Sequence, residues 1–390
     1  MARILFINSV CYGSTGSICK NLYRMAESKG HECCIAYGRG EAAEGFTCKR
    51  IGNNLDVYTH GILARINDMS GFGSVNATKS FVHWLEEYKP DIIHMHNLHG
   101  YYLNIEVLFQ YLKNHPEIKK IWTLHDCWSF TGHCPHFQYE KCHQWIEGCK
   151  KCPRTNEYPK SLLDKCGRNY EKKKRTFLNV NNMTIVTPSE WLRQLAEKSY
   201  LKGYKTVVVY NGINTDVFKP TESSILEKYH IGDKKVILGV ASVWDHKKGL
   251  DSFVKLSSNI CDDYKIVLIG LSEEQVKQIP PKIIGIERTE NVNELVQWYS
   301  ASTVFLNPSL EDTYPTVNLE AQACGTYVLT FDTGGMKETI KYSNGRIVNS
   351  IDEALCFLEK NDIPKVDNSD KIQYDLKDCF KEYIKMYDED

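Results

Sequence analysis

Asp312 and Glu320 bracket seven residues in the segment Asn307-Pro-Ser-Leu-Glu-Asp-Thr-Tyr-Pro-Thr-Val-Asn-Leu-Glu-Ala-Gln-Ala-Cys-Gly. A strand-like run ends at Asn307, and the loop after it carries the acids Glu311 and Asp312. Pro315, a favoured first helical residue, then opens a helix that holds Glu320. Backbone N–H groups at such a start bind phosphate or sugar hydroxyls. Thr313, Tyr314 and Thr316 stand there as candidate donor contacts. A carboxylate one turn further in can accept two ribose hydroxyls. The competing reading is a helix cap with a surface acid.

Lys248-Gly249 follows a strand and opens a helix, where a lysine can neutralise a diphosphate; a merely solvated lysine gives the same pattern. Gly13-Ser14-Thr15-Gly16 lies between the first strand and the first helix, where glycines let backbone approach an anionic ligand. It is not Gly-x-Gly-x-x-Gly, and a plain tight turn competes with it. His94-Met-His96-Asn-Leu-His99 and Thr123-Leu-His125-Asp126 each follow an expected strand. His96, His99 and Asp126 are candidates for the acceptor side, and His94 also reads as a core residue.

Five of the fifteen cysteines crowd into residues 127–153: Cys127, Cys134, Cys142, Cys149 and Cys152. Four of them, ending in Cys-x2-Cys, could hold a tetrahedral structural zinc. Reduced buried thiols and disulfides remain open readings. Lys165, Arg168 and Lys172-Lys-Lys-Arg175 form a basic run beside Leu162, Leu163, Tyr170 and Phe177. That pattern is either a solvated helix face or a peripheral contact with an anionic membrane.

These residues need elements to hold them. Arg3–Asn8, a helical run Ser17–Lys29 and His31–Tyr37 read as strand, helix, strand, with Ser9–Gly16 a loop. Strands are expected again at Asp91–Met95, Lys120–Leu124 and Met183–Thr187, and a helix at Asn104–Lys113. The second half repeats the pattern with strands at Lys235–Ala241, Lys265–Gly270, Lys282–Ile286, Thr303–Asn307, Tyr327–Phe331 and Gly345–Val348. Helices fall between them at Gly249–Ser258, Val292–Ser300, Pro315–Cys324 and Met336–Ile340, and a last one at about Tyr374–Met386 follows the polar stretch Asp367–Asp370. Alternation of this kind makes parallel α/β sheets. The expected division is 1–205 with its insert at 127–153, a linker over 206–220, a second domain over 221–365, and a segment 366–390 returning toward the first domain. Two doubly wound domains would bind ligands at the carboxyl ends of their strands, in a cleft between them.

In family order, Asn211-Gly-Ile-Asn-Thr-Asp, Lys248-Gly249-Leu, Pro308-Ser…Asp312-x7-Glu320 and Thr333-Gly-Gly-Met-Lys-Glu338 resemble the retaining GT-B nucleotide-sugar glycosyltransferases of family 4. The resemblance implies that Glu320 grips the nucleotide ribose and Asp312 the donor sugar. Asp312 stands where the family usually has glutamate. Where the family often has an arginine, five residues before Lys248, this chain has Val243, so Lys247 or Arg288 is expected to assist at the diphosphate. His125 takes the family's place beside the donor sugar, where its dipole and hydrogen bond can support a developing oxocarbenium ion. The expected enzyme is a retaining, metal-independent hexosyltransferase of polysaccharide or glycolipid biosynthesis, using a glycan or lipid-linked acceptor. Catalysis requires no cofactor on this reading. A GT-B sugar-nucleotide epimerase or hydrolase is the alternative.

Composition sets the outer bounds. A chain of 390 residues with 42% hydrophobic residues suits two ordinary domains with real cores. Net charge is −1, but residues 1–200 carry 26 Lys+Arg against 19 Asp+Glu (+7) and the rest carry 22 against 30 (−8). The acidic second half argues against a zinc-dependent nucleic-acid-binding protein, and no nucleic-acid partner is expected. The opening run Ile-Leu-Phe-Ile is too short for a signal peptide, so a cytoplasmic enzyme is expected.

Overall fold

The computed structural model describes residues 1–341, 344–360, 362–366 and 374–389; the polar stretch Asp367–Asp370 lies outside them. It divides into two compact units, Met1–Tyr210 with Phe380–Asp390, and Asn211–Cys379.

The first unit is a seven-stranded parallel sheet: β1 (Arg3–Val10), β2 (Glu32–Arg39), β3 (Cys48–Arg50), β4 (Ile92–Met95), β5 (Lys119–Thr123), β6 (Met183–Thr187) and β7 (Lys205–Val208). Its order is β3-β2-β1-β4-β5-β6-β7. The second has six parallel strands: β8 (Lys235–Val240), β9 (Tyr264–Ile269), β10 (Ile283–Ile286), β11 (Val304–Asn307), β12 (Tyr327–Phe331) and β13 (Gly345–Val348), in the order β10-β9-β8-β11-β12-β13. Central strands of a parallel sheet are covered on both faces, so they read as unbroken apolar runs. Ile4-Leu-Phe-Ile7 and Ile266-Val-Leu-Ile269 are such runs, and they are buried. Each sheet winds outward in both directions from its first strand. This leaves a switch point between β1 and β4 in one unit and between β8 and β11 in the other, where such sheets take their ligands.

Several expectations need correction. Residues 206–208 are not linker but part of β7, which completes the first sheet beside β6. Asn211–Ile213 is built into the second unit: Ile213 pairs with Asp375, and Gly212 lies so close to the Leu376 backbone that a Cβ would sit 2.5 Å from it. Gly13–Gly16 is not a loop, because β1 continues to Val10 and the helix Gly13–Ser28 begins at Gly13. Met336–Thr339 is a 3₁₀ turn rather than an α-helix. The last helix is two pieces, Leu376–Cys379 in the second unit and Lys381–Asp388 in the first, meeting at buried Phe380. Helices Asn54–Asn67 and Val75–Tyr88 had no counterpart in the sequence reading.

Candidate functional site

In the second unit, the loops after β8 and β11 meet at the switch point. Leu310 N–H donates to the Lys247 carbonyl at 2.7 Å, tying the two loops by backbone. Across this tie Lys248 Nζ meets Asp312 Oδ2 at 2.8 Å, and Lys247 Nζ stands 3.8 Å from Glu311. The Asp312 charge outweighs burial and raises the Lys248 pKa, so this ammonium stays charged. A lysine and a carboxylate so placed offer paired charges to a ligand that carries both phosphate and hydroxyls.

Gly249 explains the glycine after Lys248. Its φ is +83°, and a Cβ there would lie 2.6 Å from Pro308 Cγ and 2.7 Å from the Pro308 carbonyl oxygen. Gly249→Ala should therefore cost on the order of 1–3 kcal/mol of stability, from left-handed strain plus the clash. A denaturant midpoint unchanged from wild type would refute this account. Gly334, at φ +58°, is held against the Asp312 carbonyl by the same logic, and Gly335 N–H donates to that carbonyl at 3.3 Å.

Glu320 sits on the helix Thr316–Ala323, which leaves β11. The Tyr299 hydroxyl donates to Glu320 Oε2 at 3.0 Å, and the Thr316 hydroxyl bonds the same carboxyl. Burial outweighs both bonds and lifts the carboxyl to about 7. Thr313 and Tyr314 are buried at the start of this helix, and Tyr314 N–H donates to Asp312 Oδ1 at 3.2 Å. Arg288 lies exposed just after β10, two strands from β8 in the sheet order.

Sequence reading missed what braces this helix. Asn307 Nδ2 donates to Asn318 Oδ1 at 2.9 Å, and Asn318 Nδ2 donates to Thr339 Oγ1 at 2.8 Å. Gln322 Nε2 donates to the carbonyls of Asn318 and Thr339, both at 2.8 Å. Two buried amides within an otherwise apolar helix face were the available signal, since buried polar groups require partners.

In the first unit, three imidazoles form a column at the carboxyl ends of β4 and β5. His94 stacks on His96 with centroids 4.2 Å apart, and His96 on His125 at 5.2 Å. His96 Nδ1 and His125 Nε2 share a hydrogen bond of 3.0 Å, while the buried His96 Nε2 has no protein partner. His94 is a core residue held by Tyr387 at 2.7 Å and Thr123 at 2.8 Å, which ties the column to the C-terminal helix. Burial lowers all three pKa values, His94 to about 3 and His125 to about 4, so the column is neutral at physiological pH.

His99 Nε2 and Asp126 Oδ2 stand 2.8 Å apart, and His99 Nδ1 lies 2.9 Å from the Tyr158 hydroxyl. Burial pushes the Asp126 carboxyl up, but His99, His136 and the Trp128 N–H overcome it and hold it at about 2. At the β1–β4 switch point, Asn97 N–H donates to Asn8 Oδ1 at 3.3 Å, and Asn8 Nδ2 donates to Thr15 Oγ1 at 3.3 Å. Gly13 and Ser14 are exposed in the first helical turn beside this tie. Gly16 is needed for packing instead, since a Cβ there would lie 2.6 Å from the Cys11 carbonyl carbon.

None of the fifteen cysteines, all among the described residues, is joined in a disulfide. Cys134, Cys142, Cys149 and Cys152 line one small pocket, closed by Phe137, Trp145 and Arg154. The basic run is only partly free: Arg168 and Arg175 are exposed, but other members are engaged. Lys173 is buried and donates to the carbonyls of Trp128 (2.9 Å) and Thr131 (3.2 Å), while Lys172 pairs with Glu106. Tyr170 and Phe177 point into the core. Among the described residues no helix is long and apolar enough to cross a membrane.

Comparison with known proteins adds a second line. The family described as Glycosyltransferase Family 4 matches residues 16–217, and that described as Glycosyl transferases group 1 matches 234–359. A glycosyl transferase of Escherichia coli K12 named for colanic acid biosynthesis, WcaC, is 24% identical over 268 residues, covering 67% of this chain and 64% of its own. The chain thus spans under two thirds of that relative's length. Among solved structures, sucrose-phosphate synthase from Thermosynechococcus elongatus superposes with a TM-score of 0.74 at 16% identity, covering 100% of this chain and 98% of that one. Anabaena HepE, solved in complex with UDP, gives 0.69 at 13% identity, with 99% of each chain covered. These likenesses show the fold.

Proposed function

The chain belongs to glycosyltransferase family 4 and has the GT-B fold, and from that premise we propose that it moves a sugar from a nucleotide-sugar donor to a glycan or lipid-linked acceptor. The observation that carries this reading is the second unit's switch point, where the loops after β8 and β11 pair Lys248 with Asp312 and the helix that leaves β11 carries Glu320. Lys248 and the N–H groups of the loops face the diphosphate, Glu320 accepts the ribose hydroxyls, and Asp312 holds the sugar. Thr313, Tyr314 and Thr316 line the nucleotide, and the helix start at Gly13-Ser14 adds N–H donors to the donor. His125 contacts the sugar as positive charge develops on it, and His96, His99 and Asp126 face the acceptor.

Transfer proceeds with retention and without a catalytic metal. The acceptor oxygen forms its bond to the anomeric carbon on the face from which the diphosphate leaves. The carbon–phosphate-oxygen bond breaks, and the acceptor proton passes to the departing oxygen. UDP in the Anabaena structure makes a UDP-sugar the first donor to try, and the colanic acid relative favours a polysaccharide product. Thermal-shift measurement against UDP-, GDP- and ADP-sugars tests the reading. The true donor should stabilise the protein by about 3 kcal/mol at a hundredfold excess over its Kd. No shift with any nucleotide sugar would overturn it, and consumption of the donor without acceptor would point to a hydrolase or epimerase. Product anomeric configuration, read by NMR, tests retention.

A structural zinc in the cysteine insert belongs to the same proposal. Four thiols on one pocket are the right donor chemistry, and Gly132 N–H already donates to Cys149 Sγ at 3.3 Å. Among the described residues no three His, Cys, Asp or Glu side chains stand gathered for a metal, so the sulfurs would close in on binding. Protein purified under reducing conditions should carry about one zinc per chain. Chelation should lower the melting temperature while nucleotide binding survives. Metal analysis that finds no zinc would leave reduced thiols.

A further inference from the structure

The helix Asn54–Asn67 is apolar on the wrong side. It buries His60 and Ala64, and a soluble helix should present polar residues opposite them. Instead Leu55, Tyr58, Ile62, Leu63 and Ile66 face solvent, each 40–69% exposed. At 100° per residue, Leu55, Ile62 and Ile66 fall within about 40° of one another, directly away from Ala64. A neighbouring segment extends this stripe. Leu162 N–H donates to the Arg65 carbonyl at 2.7 Å, which fixes Leu162 and Leu163, 72% and 48% exposed, at the helix's C-terminal end. Singly exposed apolar residues are ordinary, but a run of seven on one contiguous face marks a docking surface.

The rim of this face is basic. Arg65 is exposed on the helix itself, and Lys160 is exposed two residues before Leu162. Arg168 donates to the Asn67 carbonyl at 3.3 Å, and Lys165 N–H donates to Asp68 at 3.1 Å, so both also stand at the helix's end. Exposed Asp164 is the acid among them.

We propose that the outer face of helix Asn54–Asn67, with Leu162 and Leu163, docks on an anionic lipid bilayer. The apolar stripe enters the headgroup–acyl boundary, and the four basic residues meet the lipid phosphates, the pattern of an interfacial helix. Charge selects the bilayer over a second copy of the chain, since a two-fold interface on this patch would set the basic rim against itself. The inference does not depend on the sugar-transfer reading; it puts the apolar anchor on a different helix from the one the basic run suggested, with Lys165 and Arg168 of that run on its rim.

Co-sedimentation of the full chain with vesicles tests it. The protein should pellet with mixed phosphatidylglycerol–phosphatidylcholine vesicles, much less with phosphatidylcholine alone, and less as salt is raised. Ile62→Asn with Leu162→Asn, two side chains that point outward, should cut partitioning at least about tenfold with melting temperature and nucleotide-induced stabilisation unchanged. Arg65→Gln should cut it about fivefold. No pelleting with anionic vesicles, or unchanged pelleting of the double variant, would overturn the proposal. So would light scattering that finds a wild-type dimer and a monomeric variant, which would assign the face to a second copy.

Discussion

Glu320→Gln should make the free protein more stable at neutral pH and a poorer binder of nucleotide. In the folded state the Glu320 carboxyl titrates at about 7, because burial outweighs its bonds from Tyr299 and Thr316. In the unfolded chain a glutamate titrates near ~4.3. Between these values the folded protein holds a proton that the unfolded chain has released, so stability falls as pH rises and levels off above the folded value. The whole cost is at most about 4 kcal/mol, and glutamine removes it while keeping an oxygen for both hydroxyls. The stability gain should therefore be absent near pH 4, grow through the window and be complete above about pH 7. A carboxyl buried at this expense needs a use, and ribose hydroxyls provide one. Each hydrogen bond to a charged acceptor is worth roughly 1.5–3 kcal/mol, so the amide should lose about tenfold to a hundredfold in nucleotide affinity. Binding below pH 7 should also release a proton in wild type and not in the variant, a difference that calorimetry in buffers of unlike ionisation heat resolves. An equally tight nucleotide complex in the folded variant would remove Glu320 from the ribose. A variant no more stable than wild type at high pH would mean its carboxyl is not desolvated.

The second unit was the more legible half, and the reason is local. The strand expected at Tyr327–Phe331 lies where expected because a buried parallel strand is a short apolar run between turn residues, and the half-exposed edge strand Gly345–Val348 also has its expected bounds. Lys248-Gly249 and Asp312-x7-Glu320 were visible because each needs particular residues at fixed spacing, and the Gly249 contact with Pro308 shows why glycine is one of them. The Lys248–Asp312 pair was not visible: it joins residues sixty-four apart in sequence through a backbone tie that no local pattern records. In the first unit β3 is only three residues long. Helix Asn54–Asn67 escaped notice because apolar residues on its outer face blur the 3.6-residue period. Strand β7 was hidden by the turn residues that follow it, which made the end of the sheet resemble the start of a linker.

His125→Ala should lower kcat by about a hundredfold to a thousandfold, the range seen when one hydrogen-bonding group that favours the transition state is removed, with donor KM little changed. The argument begins from the neutrality of the ring. Burial holds His125 at about 4 and drives His96 well below its ordinary value, so neither imidazole carries charge near pH 7. A neutral pair sharing one bond of 3.0 Å has a single proton between the two nitrogens. If His96 Nδ1 donates, His125 keeps its own proton on Nδ1; if His125 Nε2 donates, Nδ1 becomes an acceptor. His96 thereby fixes which partner His125 can offer a sugar hydroxyl, and His94, pinned by Tyr387 and Thr123, fixes the plane on which His96 stacks. A group that acts through its dipole gives no titration between about pH 5 and 8, unlike a general base near its ordinary pKa. The kcat profile of wild type should therefore show no limb assignable to His125 in that range, and His125→Ala should lower the profile without changing its shape. Replacement of His96 by leucine, which keeps bulk and loses the shared proton, should reproduce part of the kcat loss at unchanged donor KM. Equal losses in kcat and donor affinity for His125→Ala would make it a ground-state contact, and a wild-type limb near pH 6.5 that vanishes in the variant would make it a base.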